Sequence, residues 1–186
     1  MNNQKILFQG KMIEILEEAV VINGKEKVHE YGRRAPGVRL IIETSDGEFL
    51  ISKEERHSIG SDFRLPGGKV FDSLKEYNEF LDTNPSEENF LEKAREAAIK
   101  EGEEEMGIKA TELELFSVSR CGGSFEWNLY YFIVKKYEET RQRLEDAEKI
   151  EVVKVSKEKL KELAFSGQMN EDRSVGILAK YFFKKE

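Results

Sequence analysis

The sequence contains only one cysteine, Cys121, so it cannot form an intrachain disulfide. It also lacks any run approaching the roughly 18 apolar residues that a membrane-spanning helix needs. No long apolar segment follows the start of the chain at residues 1–5. These absences exclude a disulfide scaffold and a helical membrane protein, and they predict a reduced, cytoplasmic protein with no membrane partner.

An excess of positive charge is also missing, because 30 Lys and Arg residues face 37 Asp and Glu residues, giving a net charge of −7. Proteins that bind nucleic acids usually neutralise phosphates with a basic patch, so this balance argues against a nucleic-acid partner. A nucleotide held through a metal stays compatible with it. The sequence contains no internal repeat, Walker-type phosphate loop or Ser-His-Asp arrangement, and its length and 39% hydrophobic content predict one compact domain.

What the sequence does have is a dense group of carboxylates just before Gly107. Glu101, Glu104 and Glu105 are spaced i, i+3 and i+4, which places them within an arc of about 100° on one side of a helix. Three such anions repel one another unless a hard divalent cation lies among them. This spacing predicts a metal site that handles phosphates, although a solvated acidic helix face is the simpler alternative.

The residues around this group favour the metal site. Leu65-Pro66-Gly67-Gly68 forms a glycine bend that can bring backbone groups close to a ligand. Gly107 follows Met106, where a left-handed residue would end the helix. The order is therefore a bend, a long helix with a carboxylate stripe, and a glycine stop.

This order resembles the Nudix box. That family's pattern is Gly, five residues, Glu, seven residues, Arg-Glu, an apolar residue, any residue, Glu-Glu, any residue, Gly and an apolar residue. Gly68, Glu92 and the segment 100–108 match it with three departures: Lys100 replaces Arg, Gly102 replaces an apolar residue, and 23 residues instead of five separate Gly68 from Glu92. Glu92 is a weak ligand candidate, because nine helical residues before Glu101 put it on the opposite side of the helix.

The remaining pattern predicts an α+β fold. Hairpin turns are expected at Asn23-Gly24 and at residues 45–47, and strands are expected at residues 112–120, 128–135 and 150–155. A short helix within residues 71–81, capped by Asp72 or Ser73, is predicted before a long helix over about 85–106, with Asn84 as its cap. Helices are also expected at residues 157–165 and 175–184. On the long helix, apolar contacts are expected from Phe90, Leu91, Ala94, Ala97 and Ala98.

The resemblance to the family implies an α/β/α sandwich with a mixed central sheet. Residues 31–38, 53–57 and 151–169 resemble the ADP-ribose and ADP-sugar pyrophosphatase branch. We therefore expect residues 1–35 to be an N-terminal β-strand extension and residues 36–186 to be a Nudix domain with a helical insertion at about 71–91. N-terminal strands commonly exchange between subunits in this branch, so the resemblance also implies a homodimer.

The activity implied by the resemblance is hydrolysis of the diphosphate bond in a small-molecule nucleotide such as ADP-ribose or an ADP-sugar, giving a nucleoside monophosphate and a phosphorylated product. Glu101, Glu104, Glu105 and the Gly67 carbonyl would hold Mg²⁺, with Mn²⁺ as the other choice. In this branch a separate carboxylate is usually the general base. The candidates are Glu126, Glu145 and Glu148, for which an exposed or solvated acidic residue is the alternative.

Substrate-binding candidates lie outside the box, apart from Gly68. Arg33, Arg34 and Arg56 can bind phosphates or a ribose as bidentate donors, and they are equally compatible with an ordinary surface role. Trp127, Tyr31 and Phe125 are candidates for stacking on a base, although such aromatic residues are more often core. Two other functions stay open: a Nudix hydrolase of nucleoside triphosphates or dinucleoside polyphosphates, and a non-catalytic Nudix-fold ligand-binding module, the latter suggested by Lys100, Gly102 and the insertion.

Overall fold

The structure is a computed structural model that describes residues 4–57, 59–144 and 149–185. The described residues form ten strands and four helices: β1 (Gln4–Gln9), β2 (Ile13–Ile22), β3 (Lys25–Arg34), β4 (Gly37–Glu43), β5 (Phe49–Arg56), β6 (Gly60–Arg64), α1 (Leu74–Asp82), α2 (Glu87–Met106), β7 (Ile108–Ser119), β8 (Phe125–Glu126), β9 (Leu129–Glu139), β10 (Ile150–Val155), α3 (Lys157–Phe165) and α4 (Asp172–Lys185).

The central sheet has the strand order β10-β5-β4-β9-β7, and β6 also pairs with β5. Its middle strands β4 and β9 are parallel, whereas the other pairs in it are antiparallel. A second sheet has the order β1-β2-β3-β8, with β3 and β8 parallel. Strand β3 of the N-terminal sheet ends just before Ala35-Pro36, and β4 of the central sheet begins just after it. These two residues therefore join the two sheets.

Alternation along β4 builds a core on each face of the central sheet. Val38, Leu40 and Ile42 pack with α2, whereas Ile41 packs with the apolar residues of α3 and α4. The predicted α/β/α sandwich with a mixed sheet is therefore confirmed. The predicted apolar contacts of the long helix are also confirmed, because they all belong to the core on its side of the sheet: Phe90, Leu91, Ala94, Ala97 and Ala98.

The N-terminal sheet is a long hairpin with an added edge strand. Asn23 and Gly24 both have positive φ, at 53° and 73°, as the predicted turn between β2 and β3 requires. Large apolar side chains of this sheet are exposed, including Phe8 at 55%, Val21 at 73% and Val28 at 65%. The division of the chain at residue 35 stays a prediction.

Helix α2 ends as predicted and begins two residues later than predicted. Gly107 adopts the left-handed conformation, with φ of 64°, and caps its C-terminus. The N-cap is Ser86, whose side chain forms a capping box with Asn89, so the prediction of Asn84 as the cap was wrong. Asn84 instead has φ of 53° and turns the chain before the helix.

The insertion is structured and packs beside α2, away from its carboxylate end. Ser73 caps α1, and the Phe80 ring lies 5.0 Å from the Phe90 ring at the start of α2. Asn78 Nδ2 on α1 also donates to the buried carboxylate of Glu14 on β2, at 3.2 Å. The insertion therefore joins the N-terminal sheet to the first turns of α2.

Among the helices that the structure describes, none has the length and apolar character needed to cross a membrane.

Candidate active site

The glycine bend runs along the N-terminal half of β4. The Leu40 amide donates to the Pro66 carbonyl and the Val38 amide donates to the Gly68 carbonyl, both at 2.9 Å. Gly67 has φ of 138°, and a Cβ there would lie 2.3 Å from the Val38 carbonyl oxygen. Only glycine fits this backbone, which holds the Gly67 amide toward α2.

Glu105 is the carboxylate that contacts this bend directly. It is 6% exposed and accepts a hydrogen bond from the Gly67 amide at 2.8 Å. Burial, together with the charges of Glu101 and Glu54, raises its pKa to about 8 against the lowering effects of the Gly67 amide and Arg39. The folded protein therefore favours the protonated form of Glu105 at neutral pH.

Glu101, one turn earlier on α2, lies against the other glycine of the bend. A Cβ on Gly68 would be 2.0 Å from Glu101 Oε1, so the carboxylate occupies the space that a side chain would need. The structure thus brings Glu101, Glu105, Gly67 and Gly68 together, as the sequence predicted.

Glu104 lies to one side of this group. Its side chain is 35% exposed, and the Lys100 ammonium is 3.7 Å from its carboxylate. Its backbone carbonyl accepts from the Arg143 amide at 2.9 Å. The helix end is further held by Gln142, whose side-chain amide donates to the Glu105 carbonyl at 2.7 Å and to the Ile150 carbonyl at 3.1 Å.

The donors present fit a hard divalent cation in kind. Glu101 and Glu105 supply carboxylate oxygens, and Gly67 supplies a carbonyl that accepts from Arg39 at 3.0 Å and has a second lone pair. Oxygen donors are those that Mg²⁺ and Mn²⁺ prefer. In residues 4–57, 59–144 and 149–185, no three His, Cys, Asp or Glu side chains are already gathered as a metal cluster. Burial and the repulsion from Glu101 both disfavour the ionised form of Glu105, and a bound cation would offset this cost.

Glu105 and the bend line a cleft of about 530 Å³, a volume within the usual range for small-molecule sites. Cationic side chains share this cleft with the carboxylates. They are Arg34, Arg39, Arg56, Arg64, Lys69 and Lys149. A cleft with both charge types suits an anionic ligand that carries a cation with it.

A buried ion-pair network forms part of this cleft and was not predicted from the sequence. Glu171 accepts from Arg39 through Nε at 3.0 Å and Nη2 at 2.9 Å, and from Arg64 Nη2 at 2.9 Å. Burial alone would raise the pKa of Glu171, but the two arginines and the hydroxyl of Ser174 lower it to about 2. The available signal was Arg39 itself, a charged residue in the middle of the apolar strand 37–42.

Two of the three predicted arginines line the cleft. The Arg34 guanidinium lies 4.7 Å from the centre of the Trp127 ring, and Trp127 lines the cleft with it. Arg56 is 44% exposed and pairs with Glu54 at 2.6 Å. Glu54, another cleft residue, was missed because a single Glu on a strand carries no motif.

Arg33 is placed elsewhere. Its Nε donates to Glu14 at 2.6 Å, and its Nη2 lies 3.5 Å from the Asn78 side-chain oxygen. It therefore joins the N-terminal sheet to the insertion and is not among the residues that line the cleft.

The three general-base candidates are not equivalent. Glu126 is exposed on β8, opposite Arg33 of β3, and it does not line the cleft. Glu145 and Glu148 lie outside the described residues. The next described residue after them, Lys149, lines the cleft.

Comparison with known proteins agrees with this geometry. The profile of the NUDIX domain matches residues 33–173. The chain belongs to the NUDIX domain family. This Nudix membership confirms the family predicted from the box and, with it, the enzyme class, a Nudix pyrophosphohydrolase.

A solved structure is similar over almost the whole chain. It is a crystal structure described as an ADP compounds hydrolase, with a TM-score of 0.71 and 17% sequence identity, and the match covers 98% of this chain and 92% of the other. This likeness shows that the two proteins share a fold, including the N-terminal sheet. No curated protein matches the sequence.

Proposed function

We propose that this protein is a divalent-metal-dependent pyrophosphohydrolase that cleaves the diphosphate bond of ADP-ribose or an ADP-sugar. The products are a nucleoside monophosphate and a phosphorylated sugar. The observation that carries the proposal is the cleft in which Glu105 and the Gly67-Gly68 bend face a set of arginines. The shared fold with an ADP compounds hydrolase supports the choice of substrate class.

Glu101, Glu104, Glu105 and the Gly67 carbonyl are assigned to Mg²⁺ or Mn²⁺. When bound, the ion supplies positive charge against the diphosphate and makes water more acidic. The protein contributes the geometry: the Gly67 amide orients Glu105, and packing of α2 on β4 fixes Glu101 against Gly68. Gly68 is also assigned to substrate binding, because it lines the cleft.

Arg34 and Arg56 are assigned to the phosphates or the terminal ribose. Both line the cleft, and guanidinium groups bind phosphate oxygens in pairs. Trp127 supplies aromatic surface beside Arg34 for the base. Arg33 is reassigned to holding the N-terminal sheet on the insertion, because it pairs with Glu14 of that sheet and its Nη2 lies 3.5 Å from Asn78 of α1.

The N-terminal extension, residues 1–35, is proposed to contact a second copy of the chain. The number of large apolar residues that it exposes supports this assignment, since exposed apolar surface can mark an interface. Light scattering of the purified protein tests it: a monomer at micromolar concentration would exclude the homodimer.

A substrate panel tests the function. The protein is incubated with Mg²⁺ or Mn²⁺ and with ADP-ribose, ADP-sugars, nucleoside triphosphates and dinucleoside polyphosphates, and products are separated by chromatography. We expect AMP and a sugar phosphate from the first two groups, and loss of both products with EDTA. Turnover limited to the triphosphates or dinucleoside polyphosphates would refute the substrate class, and binding without turnover across the panel would indicate the non-catalytic module.

Single Gln substitutions at Glu126, Glu145 and Glu148 identify the general base. The correct substitution lowers kcat by about 10²- to 10⁴-fold and removes the acidic limb of the pH-rate profile. The other two variants retain the wild-type kcat and the acidic limb. Three unaffected variants would show that none of these glutamates is the base.

A further inference from the structure

Glu171, just before α4, is the carboxylate on which two cleft arginines meet. It binds Arg39 of β4 through both carboxylate oxygens and Arg64 of β6 through one, with distances of 2.9 to 3.0 Å. Its side chain is 11% exposed, and the Ser174 hydroxyl also donates to it. One anion therefore sets the orientation of side chains that come from two different strands.

The contact with Arg39 leads to the glycine bend. Arg39 Nη1 donates to the Val38 carbonyl at 2.8 Å and to the Gly67 carbonyl at 3.0 Å. All three nitrogen atoms of this guanidinium are thus engaged with protein oxygens. Because the Gly67 amide donates to Glu105 at 2.8 Å, contacts through Arg39 and Gly67 connect Glu171 to the Glu105 carboxylate.

The contact with Arg64 leads to the open part of the cleft. Arg64 lines the cleft, and its side chain is 13% exposed. Its Nη2 donates to Glu171 at 2.9 Å, and its Nη1 lies 3.5 Å from the Asp62 carboxylate as an ion pair, so the contact with Glu171 uses one of the five N–H donors of the guanidinium. Arg64 is thus anchored by Glu171 and lines the cleft, where its other donors can bind an anion.

We propose that Glu171 is a positioning residue for the cleft: it holds Arg64 toward the phosphates of the substrate and, through Arg39, fixes the Gly67 carbonyl. This inference rests on the proposed function, because it takes a diphosphate as the ligand of the cleft. It assigns Arg64 to the phosphates and leaves Arg39 with no direct substrate contact.

Binding of inorganic pyrophosphate, measured by calorimetry in EDTA at fixed ionic strength, tests the Arg64 contact without turnover. We expect Arg64→Gln to weaken binding at least tenfold, because it removes a charge-assisted contact. Glu171→Gln is expected to weaken it about tenfold, and the double variant is expected to bind no more weakly than Arg64→Gln. Additive losses, or wild-type affinity in folded Glu171→Gln, would overturn the proposal.

Binding of Mn²⁺ alone, measured by electron paramagnetic resonance, tests the contact through Arg39. Glu171→Gln is expected to weaken Mn²⁺ binding about fivefold, because Arg39 would no longer be held in its hydrogen bond to the Gly67 carbonyl. Unchanged affinity would refute this half. Tyr181→Phe is the matched control, because it removes a buried α4 hydroxyl that donates to Glu43 at 2.7 Å.

Glu171→Asp covers the case in which Glu171→Gln does not fold. It keeps the charge but shortens the side chain, so it cannot reach both arginines as before, and we expect pyrophosphate binding to weaken at least threefold. Wild-type affinity in this variant would also overturn the proposal. If wild-type protein binds pyrophosphate with these dependences but cleaves no substrate in the panel, the proposed function fails while the role of Glu171 stands.

Discussion

Replacing Gly68 by alanine places a methyl group where the Glu101 carboxylate lies. The new Cβ would be 2.0 Å from Oε1 and 2.4 Å from Cδ, so the carboxylate has to retreat by about 1.4 Å to reach an ordinary contact of 3.4 Å. A displacement of about 1 Å in a catalytic group costs on the order of 10²-fold in rate. We therefore expect kcat/KM to fall about 100-fold, although no ionisable group has been changed.

Stability should respond differently from activity. The backbone at Gly68 is not in the left-handed region, so alanine is compatible with it and reduces the entropy of the unfolded chain, a gain of about 0.4–1 kcal/mol. The unfolding free energy should consequently change by less than about 1 kcal/mol. Urea denaturation and steady-state kinetics on the same preparation compare the two quantities.

Gly123→Ala is the matched control, because nothing lies within 4 Å of a Cβ at that position. It should leave both activity and stability near wild type. Gly68→Ala with unchanged kcat/KM would refute the reasoning, since it would mean that the position of Glu101 against the bend has no part in catalysis.

Three other predictions concern the carboxylates of α2. The pKa of Glu105 is about 8 in the folded protein and 4.5 ordinarily, so the unfolding free energy of the metal-free protein should fall by up to roughly 1.4 kcal/mol per pH unit as pH rises between those values. Glu105→Gln should flatten this pH dependence in urea denaturation. An unchanged slope would contradict the assignment of the raised pKa to Glu105. Glu104→Gln should lower kcat by orders of magnitude with unchanged circular dichroism, whereas full activity would remove Glu104 as a ligand. Lys100→Arg should preserve or raise kcat/KM, because Lys100 already lies 3.7 Å from Glu104 and a planar guanidinium can bind both carboxylate oxygens. A sharp loss would indicate a separate role for the lysine.

The fold could be predicted largely because periodicity and turn chemistry are local. Asn23-Gly24, Gly107 and the alanine face of α2 each act within a few residues, and the structure confirms each of them. The N-cap of α2 was missed because Asn84 and Ser86 are both good cap residues, and only Ser86 has Asn89 three positions later to complete a capping box. Strands β6 and β8 were not predicted, since they are five and two residues long and carry little alternation.

The site could be predicted only where its residues are close in sequence or belong to the box. Glu101, Glu105 and the bend meet as expected. The pairing of Arg39 with Glu171 could not be predicted, because 132 positions separate them and each is an ordinary charged residue in isolation. Arg33 and Arg34 are adjacent, and strand alternation explains why only Arg34 lines the cleft.

Gly102 illustrates how a departure from the family pattern can have a packing reason. A Cβ there would lie 3.2 Å from Leu40 Cδ1 and 3.3 Å from the Ile108 carbonyl oxygen. Glycine therefore allows α2 to lie close to β4 in the helical turn between Glu101 and Glu105. This contact offsets part of the roughly 1 kcal/mol that glycine costs inside a helix.

The position of the insertion bears on how relatives of this protein can be found. Its added residues extend the chain before the first turn of α2, whereas the groups that face the cleft lie in the last two turns, anchored by Gly107 and Gln142. The chain between the bend and the glutamates can consequently be lengthened without changing the distance between them in space. Searches that demand a fixed spacing across the box will overlook such proteins, and a search anchored on the final nine residues together with a separate di-glycine would recover them.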